Sequence, residues 1–278
     1  MQKGGGLILS GEEIVINGRK TEVFHWPVEN SKAKVIIVHG LGEHVARYDV
    51  ISKEFNDAGL EMAGFDQRGH GKNAGKKGHI ENFDLFLKDL DSFVGMEKSD
   101  KPLFMLGHSL GGLIAARYVE EYPEKVKGVI LSSGAFSSEN VSNSLKILSC
   151  TFSVLFPTLT FNNGIDPKTL SRNDKVIEEY KKDPLVHDKI TARFSCQLFK
   201  NIDLVFERVS KFTTPVLLTA GSEDHVVPPS GTKRLFSSIP AKDKEMKIFD
   251  GAYHEIFCDP QLSSEFRKKI VDWINKRV

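Results

Sequence analysis

The chain reads as an α/β protein, with a mainly parallel central sheet, helices on both faces and a helical insertion. Three observations predict this. Short β-branched runs alternate with longer amphipathic stretches from about residue 34 onward; the opening segment carries a hairpin signal; and the alternation is suspended between 135 and 208.

In order, Glu12–Ile16 and Glu22–Trp26 flank Asn17 and Gly18, which readily supply the left-handed backbone of a tight hairpin, so the sheet opens antiparallel. Val35–Val38 reads as a buried strand ahead of His39 and Gly40. Asp49–Ala58 spaces Val50, Ile51, Phe55 and Ala58 as a helix does, and Gly59 stands where that helix ends. Leu60–Phe65 is the next strand, with a turn over Gln67–Gly71. Ile80–Val94 reads as a helix, Leu103–Leu106 as the third buried strand, and Leu110–Glu121 as a helix terminated by Pro123. Val129–Leu131, Val216–Thr219 and Met246–Phe249 add strands, and Ser263–Asn275 is the last helix. The stretch 135–208 begins rich in Ser, Asn and Phe and turns into a charged helix over Asp174–Lys182. So long an interruption between buried strands reads as a helical cap. The expected division is a core of 1–134 and 209–278 with a cap of 135–208.

Composition excludes several classes. Over 278 residues, 38 Lys and Arg oppose 37 Asp and Glu, a net charge of +1, which does not suit a partner bound by bulk charge such as nucleic acid. Hydrophobic residues make up 40%, an ordinary value for a folded chain and far from a disordered one. Cys150, Cys196 and Cys258 lack metal-ligand spacing and are expected to be three reduced thiols in a cytoplasmic protein. Leu7–Leu9 is too short an apolar run for a signal peptide, and Ile147–Ile165 is too polar for a membrane span. The histidines His25, His39, His44, His70, His79 and His187 form no metal-binding pair, so neither metal nor cofactor is expected.

The chemistry gathers around Gly107–Gly111, a G-x-S-x-G sequence between a buried strand and a helix. A serine hydroxyl needs a base to take its proton, and the base needs an acid to orient it. Asp224 and His254 each follow a later strand, at the sheet edge where parallel sheets place functional loops. Glu223 and Asp250 compete with Asp224, and His225 and His108 compete with His254; Asp224 and His254 are preferred, with Ser109 as nucleophile. The expected oxyanion donors are the backbone N–H groups of Leu110 and of Leu41, in the Gly-rich turn after Val35–Val38.

The segments HGLGEHVARY (39–48), FDQRGHGKNAGKKGHI (65–80), GHSLGG (107–112), SRNDKVIEEYKKDPLVH (171–187), GSEDHVVP (221–228) and GAYHEIF (251–257) together resemble monoacylglycerol lipases and their lysophospholipase-like relatives. The resemblance extends over nearly the whole chain from about residue 20 and includes the cap. It implies an α/β-hydrolase fold, a Ser109–Asp224–His254 triad, and hydrolysis of one fatty-acyl ester from glycerol. It also implies that Glu43, Arg47 and Tyr180 lie at the glycerol end of the pocket. The alternative physical reading of Glu43 and Arg47 is a structural ion pair. Mammalian members carry a second histidine three residues after the catalytic one; this chain has Phe257, which removes one polar contact. A lysophospholipase or broad carboxylesterase shares the same triad, and a non-catalytic binding protein would be expected to have lost part of it.

Ile147, Leu148, Phe152, Val154, Leu155, Phe156, Leu159 and Phe161 are concentrated in the cap. Phe152, Leu155, Phe156 and Leu159 are the candidates for an acyl pocket, where each buried methylene contributes about 0.8 kcal/mol. Most of this stretch is expected to pack the cap onto the core. Its outer face is a candidate for transient contact with a lipid surface.

Overall fold

The computed structural model describes residues 11–73 and 75–278. The N-terminal stretch judged against a signal peptide, Leu7–Leu9, lies outside them. The elements run β1 (Glu12–Ile16), β2 (Arg19–Trp26), β3 (Ala33–Val38), α1 (Asp49–Asp57), β4 (Leu60–Phe65), α2 (Asp84–Met96), β5 (Leu103–His108), α3 (Leu110–Glu121) and β6 (Gly128–Ser132). Then come α4 (Asn143–Leu155), β7 (Thr160–Asn162), α5 (Asp174–Lys182), β8 (Lys189–Thr191), α6 (Ala192–Glu207), β9 (Val216–Gly221), α7 (Pro229–Ser238), β10 (Lys244–Phe249) and α8 (Ser263–Asn275).

Eight strands form one sheet in the order β1-β2-β4-β3-β5-β6-β9-β10. β1 and β2 pair antiparallel through the expected turn, where Asn17 has φ 47° and Gly18 φ 74°. β2 meets β4 antiparallel, and the neighbours β4-β3-β5-β6-β9-β10 all pair parallel. The two-residue period of a strand sorts side chains between two cores. On β3, Ile36 and Val38 face the core capped by α2 and α3, whereas Val35 and Ile37 face the core capped by α1 and α8. This is the layered α/β arrangement expected from the alternating runs.

Two boundaries depart from the expectation. The second helix begins at Asp84 rather than Ile80, because Asn82 forms a turn there, its side chain accepting from the Asp84 N–H at 2.9 Å. α7 gave no periodic signal; Pro229 in its first turn satisfies the rule that helices tolerate proline only where no N–H is needed.

Between β6 and β9 the chain leaves the sheet. α4 and α6 pack against each other above the strand ends, with the β7–β8 pair and α5 beside them. The thiol expectation is corrected here: Cys150 on α4 and Cys196 on α6 form a disulfide across Cα atoms 4.8 Å apart, leaving Cys258 free. The packing expectation for the cap is corrected as well. α4 buries Ser149 and Ser153, one turn apart, and turns Ile147, Val154 and Leu155 outward, with Ile147 at 68% exposure and Val154 at 75%.

Candidate active site

Ser109 sits in the sharp reversal between β5 and α3, with φ 53° and ψ −118°, a conformation that a residue with a Cβ adopts only when its surroundings impose it. The imposing contacts are visible. The Ser109 N–H donates to Ser132 O at 3.0 Å, and the Ser109 carbonyl accepts from the N–H groups of Gly112 and Ala135. The flanking glycines are steric necessities: a Cβ on Gly107 would strike the Gly111 carbonyl, and one on Gly111 the Val38 carbonyl. The strand–turn–helix is thus compressed until the hydroxyl stands proud of the sheet edge.

Asp224 and His254 meet in the loops after β9 and β10. His254 Nδ1 lies 2.8 Å from Asp224 Oδ2, and both side chains are buried. Asp224 Oδ1 accepts from the N–H groups of Val226 and Val227, each at 2.9 Å. Burial alone would raise the Asp224 pKa, but His254 and these N–H groups hold it below its ordinary value. Burial alone would lower the His254 pKa; the Asp224 charge and hydrogen bond outweigh it and raise the imidazole. With Nδ1 committed to Asp224, Nε2 is the nitrogen left to act on Ser109, which lines the same small cavity as His254. The competitors stand elsewhere. Glu223, Asp250 and His225 are exposed. His108 is buried, its ring 4.7 Å from that of His254 and 5.1 Å from that of Phe257, and burial pushes its pKa down to about 3, so it stays neutral.

The loop after β3 is braced from both sides. His39 Nδ1 donates to Gly40 O while Nε2 accepts from the Gln67 N–H, each at 2.9 Å. Gly40 lies so close to the nucleophile that an added Cβ would stand 3.3 Å from that of Ser109. Leu41 follows and lines the space beside Ser109, as does Leu110, whose N–H opens α3 and has no acceptor within the helix. Glu43 Oε1 accepts from the Gly40 N–H at 2.6 Å and from Tyr48 Oη at 3.0 Å, and Glu43 Oε2 pairs with Arg47 at 2.5 Å. Burial opposes its ionisation, yet Arg47 holds the Glu43 carboxyl at about 2. Both of its oxygens are engaged in shaping the loop, as the ion-pair reading of Glu43 and Arg47 anticipates. Tyr180, from α5, covers the Arg47 guanidinium at 4.8 Å. Phe257 is buried and stacked on Tyr48, away from this cavity.

Sequence reasoning missed Glu255. Its two oxygens grip the Arg47 guanidinium at 2.8 Å each, and its N–H donates to Leu170 O in the cap. Only its position beside His254 hinted at a role.

Two spaces meet at Ser109. One, about 440 Å³, is walled by Leu145, Leu148 and Phe152 of α4, by Leu198, Phe199 and Ile202 of α6, and by Val226 and Val227. The other, about 10 Å³, is lined by Glu43, Arg47, Tyr180, His254 and Glu255. Of the expected acyl residues only Phe152 faces the larger space. Leu155, Phe156 and Leu159 lie outside it and are 63%, 58% and 42% exposed: Leu155 ends α4 on the side away from Ser149 and Ser153, and Phe156 and Leu159 follow the helix. The residues of α6 take their place. A larger depression of about 670 Å³, lined by Lys98, Lys101 and Pro123, lies at the opposite edge of the sheet and holds none of these groups.

Fold and site together define a serine hydrolase on the α/β-hydrolase fold. Comparison with known proteins agrees: the family described as serine aminopeptidase, S33 matches residues 29–261, and the chain belongs to it. A monoacylglycerol lipase of Mycolicibacterium smegmatis is 31% identical over 240 residues, covering 84% of this chain and 85% of that protein. An abhydrolase-domain protein of Dictyostelium discoideum is also 31% identical over 88% of this chain, which spans only 26% of that longer protein. The crystal structure of a monoacylglycerol lipase from Paleococcus ferrophilus superposes with TM-score 0.86 at 38% identity, covering 92% of this chain and all of that one.

Proposed function

We propose that the protein hydrolyses the carboxylic ester of monoacylglycerols to fatty acid and glycerol, through an acyl-enzyme on Ser109. The observation that carries this reading is the placement of Ser109 where an apolar cavity of about 440 Å³ meets a small polar one, beside a buried imidazole–carboxylate pair. The apolar space suits one acyl chain, and the polar groups around the small space suit contact with a hydroxyl of the alcohol part. The names of the Mycolicibacterium smegmatis and Paleococcus ferrophilus relatives support the same substrate.

In this mechanism Ser109 Oγ attacks the ester carbonyl as His254 Nε2 takes its proton, while Asp224 fixes the tautomer and stabilises the imidazolium. The N–H groups of Leu41 and Leu110 receive the oxyanion, each such donor contributing about 2.7–4 kcal/mol to barrier lowering. The imidazolium returns the proton to the departing glycerol oxygen. Water then enters, loses a proton to His254 and releases the fatty acid, which restores Ser109. Residues 135–208 act as the cap over a core whose described part is 11–73, 75–134 and 209–278. The outward apolar face of α4 suits transient contact with a lipid surface, from which substrate reaches the cavity. No helix among the described residues is long and apolar enough to cross a membrane. The proposed location is cytoplasmic and peripheral to the bilayer; the Cys150–Cys196 link counts against a reducing cytosol, where disulfides are rare, and isolation of the protein with that link reduced in its native compartment is the result this location requires.

A hydrolysis panel tests the reading: monoacylglycerols of graded chain length beside di- and triacylglycerol, lysophosphatidylcholine, short p-nitrophenyl esters and an aminoacyl p-nitroanilide. Monoacylglycerol is expected to be cleaved fastest. Faster cleavage of lysophosphatidylcholine, triacylglycerol or the anilide would overturn it.

A further inference from the structure

The polar side of Ser109 holds one more carboxylate than cation. Among the described residues lining that space, Arg47 is the one permanent cation, and it is gripped from two sides. Glu43 Oε2 meets its Nη1 at 2.5 Å, and Glu255 accepts from both Nη1 and Nη2 at 2.8 Å, the paired geometry that a carboxylate or phosphate ligand would otherwise take. The Tyr180 ring closes one face of the guanidinium. Glu255 is held in place by its own N–H to Leu170 and is 3% exposed. Two carboxylates against one guanidinium leave a net negative charge, in a space with room for about one water.

We propose that Glu255 is a specificity-determining residue, which fills the Arg47 fork and so makes the site reject esters whose alcohol part carries a phosphate. The inference rests on the ester-hydrolase reading and deepens it: the alcohol released is a neutral polyol. A phosphate monoester carries about −1.5 to −2 charge at neutral pH and needs an open guanidinium fork, which Glu255 occupies. Glu255→Gln leaves Glu43 as the one carboxylate on Arg47, and the amide oxygen accepts from only one of the two Nη groups, which frees the other as a donor.

The test compares 1-acylglycerol with 1-acylglycerol 3-phosphate of the same acyl chain, in wild type and in Glu255→Gln. Their kcat/KM ratio is read within each preparation, so a partly folded sample does not distort it. The phosphate-to-neutral ratio is expected to rise about tenfold in the variant, with the change in KM for the phosphate ester. A ratio unchanged within about twofold would overturn the proposal and leave size as the filter. Wild type supplies a second readout that needs no variant: at equal ionic strength, glycerol 3-phosphate is expected to inhibit less than glycerol, and stronger inhibition would overturn the proposal. A p-nitrophenyl ester keeps the two readings apart. If wild type cleaves no ester at all, the hydrolase reading falls and this one with it. Ester turnover with an unmoved ratio overturns the charge filter alone.

Discussion

Replacing Asp224 by Asn isolates the group that makes His254 a base. In the native site Oδ2 accepts from His254 Nδ1 at 2.8 Å, and Oδ1 accepts from the N–H groups of Val226 and Val227 at 2.9 Å each. Asparagine has a single side-chain oxygen. The two backbone donors claim it, which turns the amide nitrogen toward Nδ1. That nitrogen donates, so Nδ1 must accept and the ring proton moves to Nε2, the atom that has to take the serine proton. The imidazole keeps its place but holds the wrong tautomer. The expected loss in kcat is about 10⁴-fold, about 5 kcal/mol in the barrier. Both backbone bonds and the side-chain volume survive, so the fold persists. Initial rates of fatty-acid release from monoacylglycerol measure the loss, with circular dichroism confirming the fold. Glu223→Gln and Asp250→Asn, at exposed positions, serve as controls and are expected within about twofold of wild type. A folded Asp224→Asn variant within tenfold of wild type would refute the reasoning, as would either control losing as much.

The remaining predictions concern pH, the cap staple and the cap surface. Activity needs neutral His254, and the Asp224 charge raises its pKa above the ordinary 6.5; kcat/KM is therefore expected to fall as pH drops through a midpoint above 6.5, and a midpoint below that value would contradict the pairing. Opening the Cys150–Cys196 link, by the double substitution to Ser, removes closure across 46 residues, worth up to about 4 kcal/mol on the chain-entropy estimate. Hydrogen exchange is expected to quicken in α4 and α6 and not in β3 or β5; uniform quickening would show that the cap and core open together. Substituting Ser for both Leu155 and Phe156, which lie outside the cavity, is expected to weaken sedimentation with lipid vesicles while the rate on a soluble short-chain ester stays within about twofold. Undiminished vesicle binding would remove the lipid-contact role from this face.

What the sequence made legible was whatever depends on neighbours along the chain. Buried strands bounded by glycine, the hairpin at Asn17 and Gly18, and the helices Asp174–Lys182 and Ser263–Asn275 all came from local pattern, and the structure has those helices at the same limits. The positions of Asp224 and His254 followed from strand ends and the order of residues along the chain. What was hidden depends on docking. α4 carries large apolar side chains on both sides, Leu145, Leu148 and Phe152 beside the buried serines and Ile147, Val154 and Leu155 away from them, so its pattern does not say which side goes in; only contact with α6 reveals that Ser149 and Ser153 do. The Cys150–Cys196 pair is likewise a property of how two helices align. Glu255 carries no motif, and its grip on Arg47, 208 positions earlier, exists only once the loops after β3 and β10 converge. The share that α6 takes in the acyl wall was hidden for the same reason.

The most direct measurement is mass spectrometry of the protein quenched during turnover of a monoacylglycerol, alongside a fluorophosphonate-treated sample and the Ser109→Ala variant. The account predicts one acyl adduct and one phosphonate adduct, both on the peptide holding Ser109, and neither adduct nor turnover in the variant. An adduct on another residue, or turnover that survives the loss of Ser109, would contradict it.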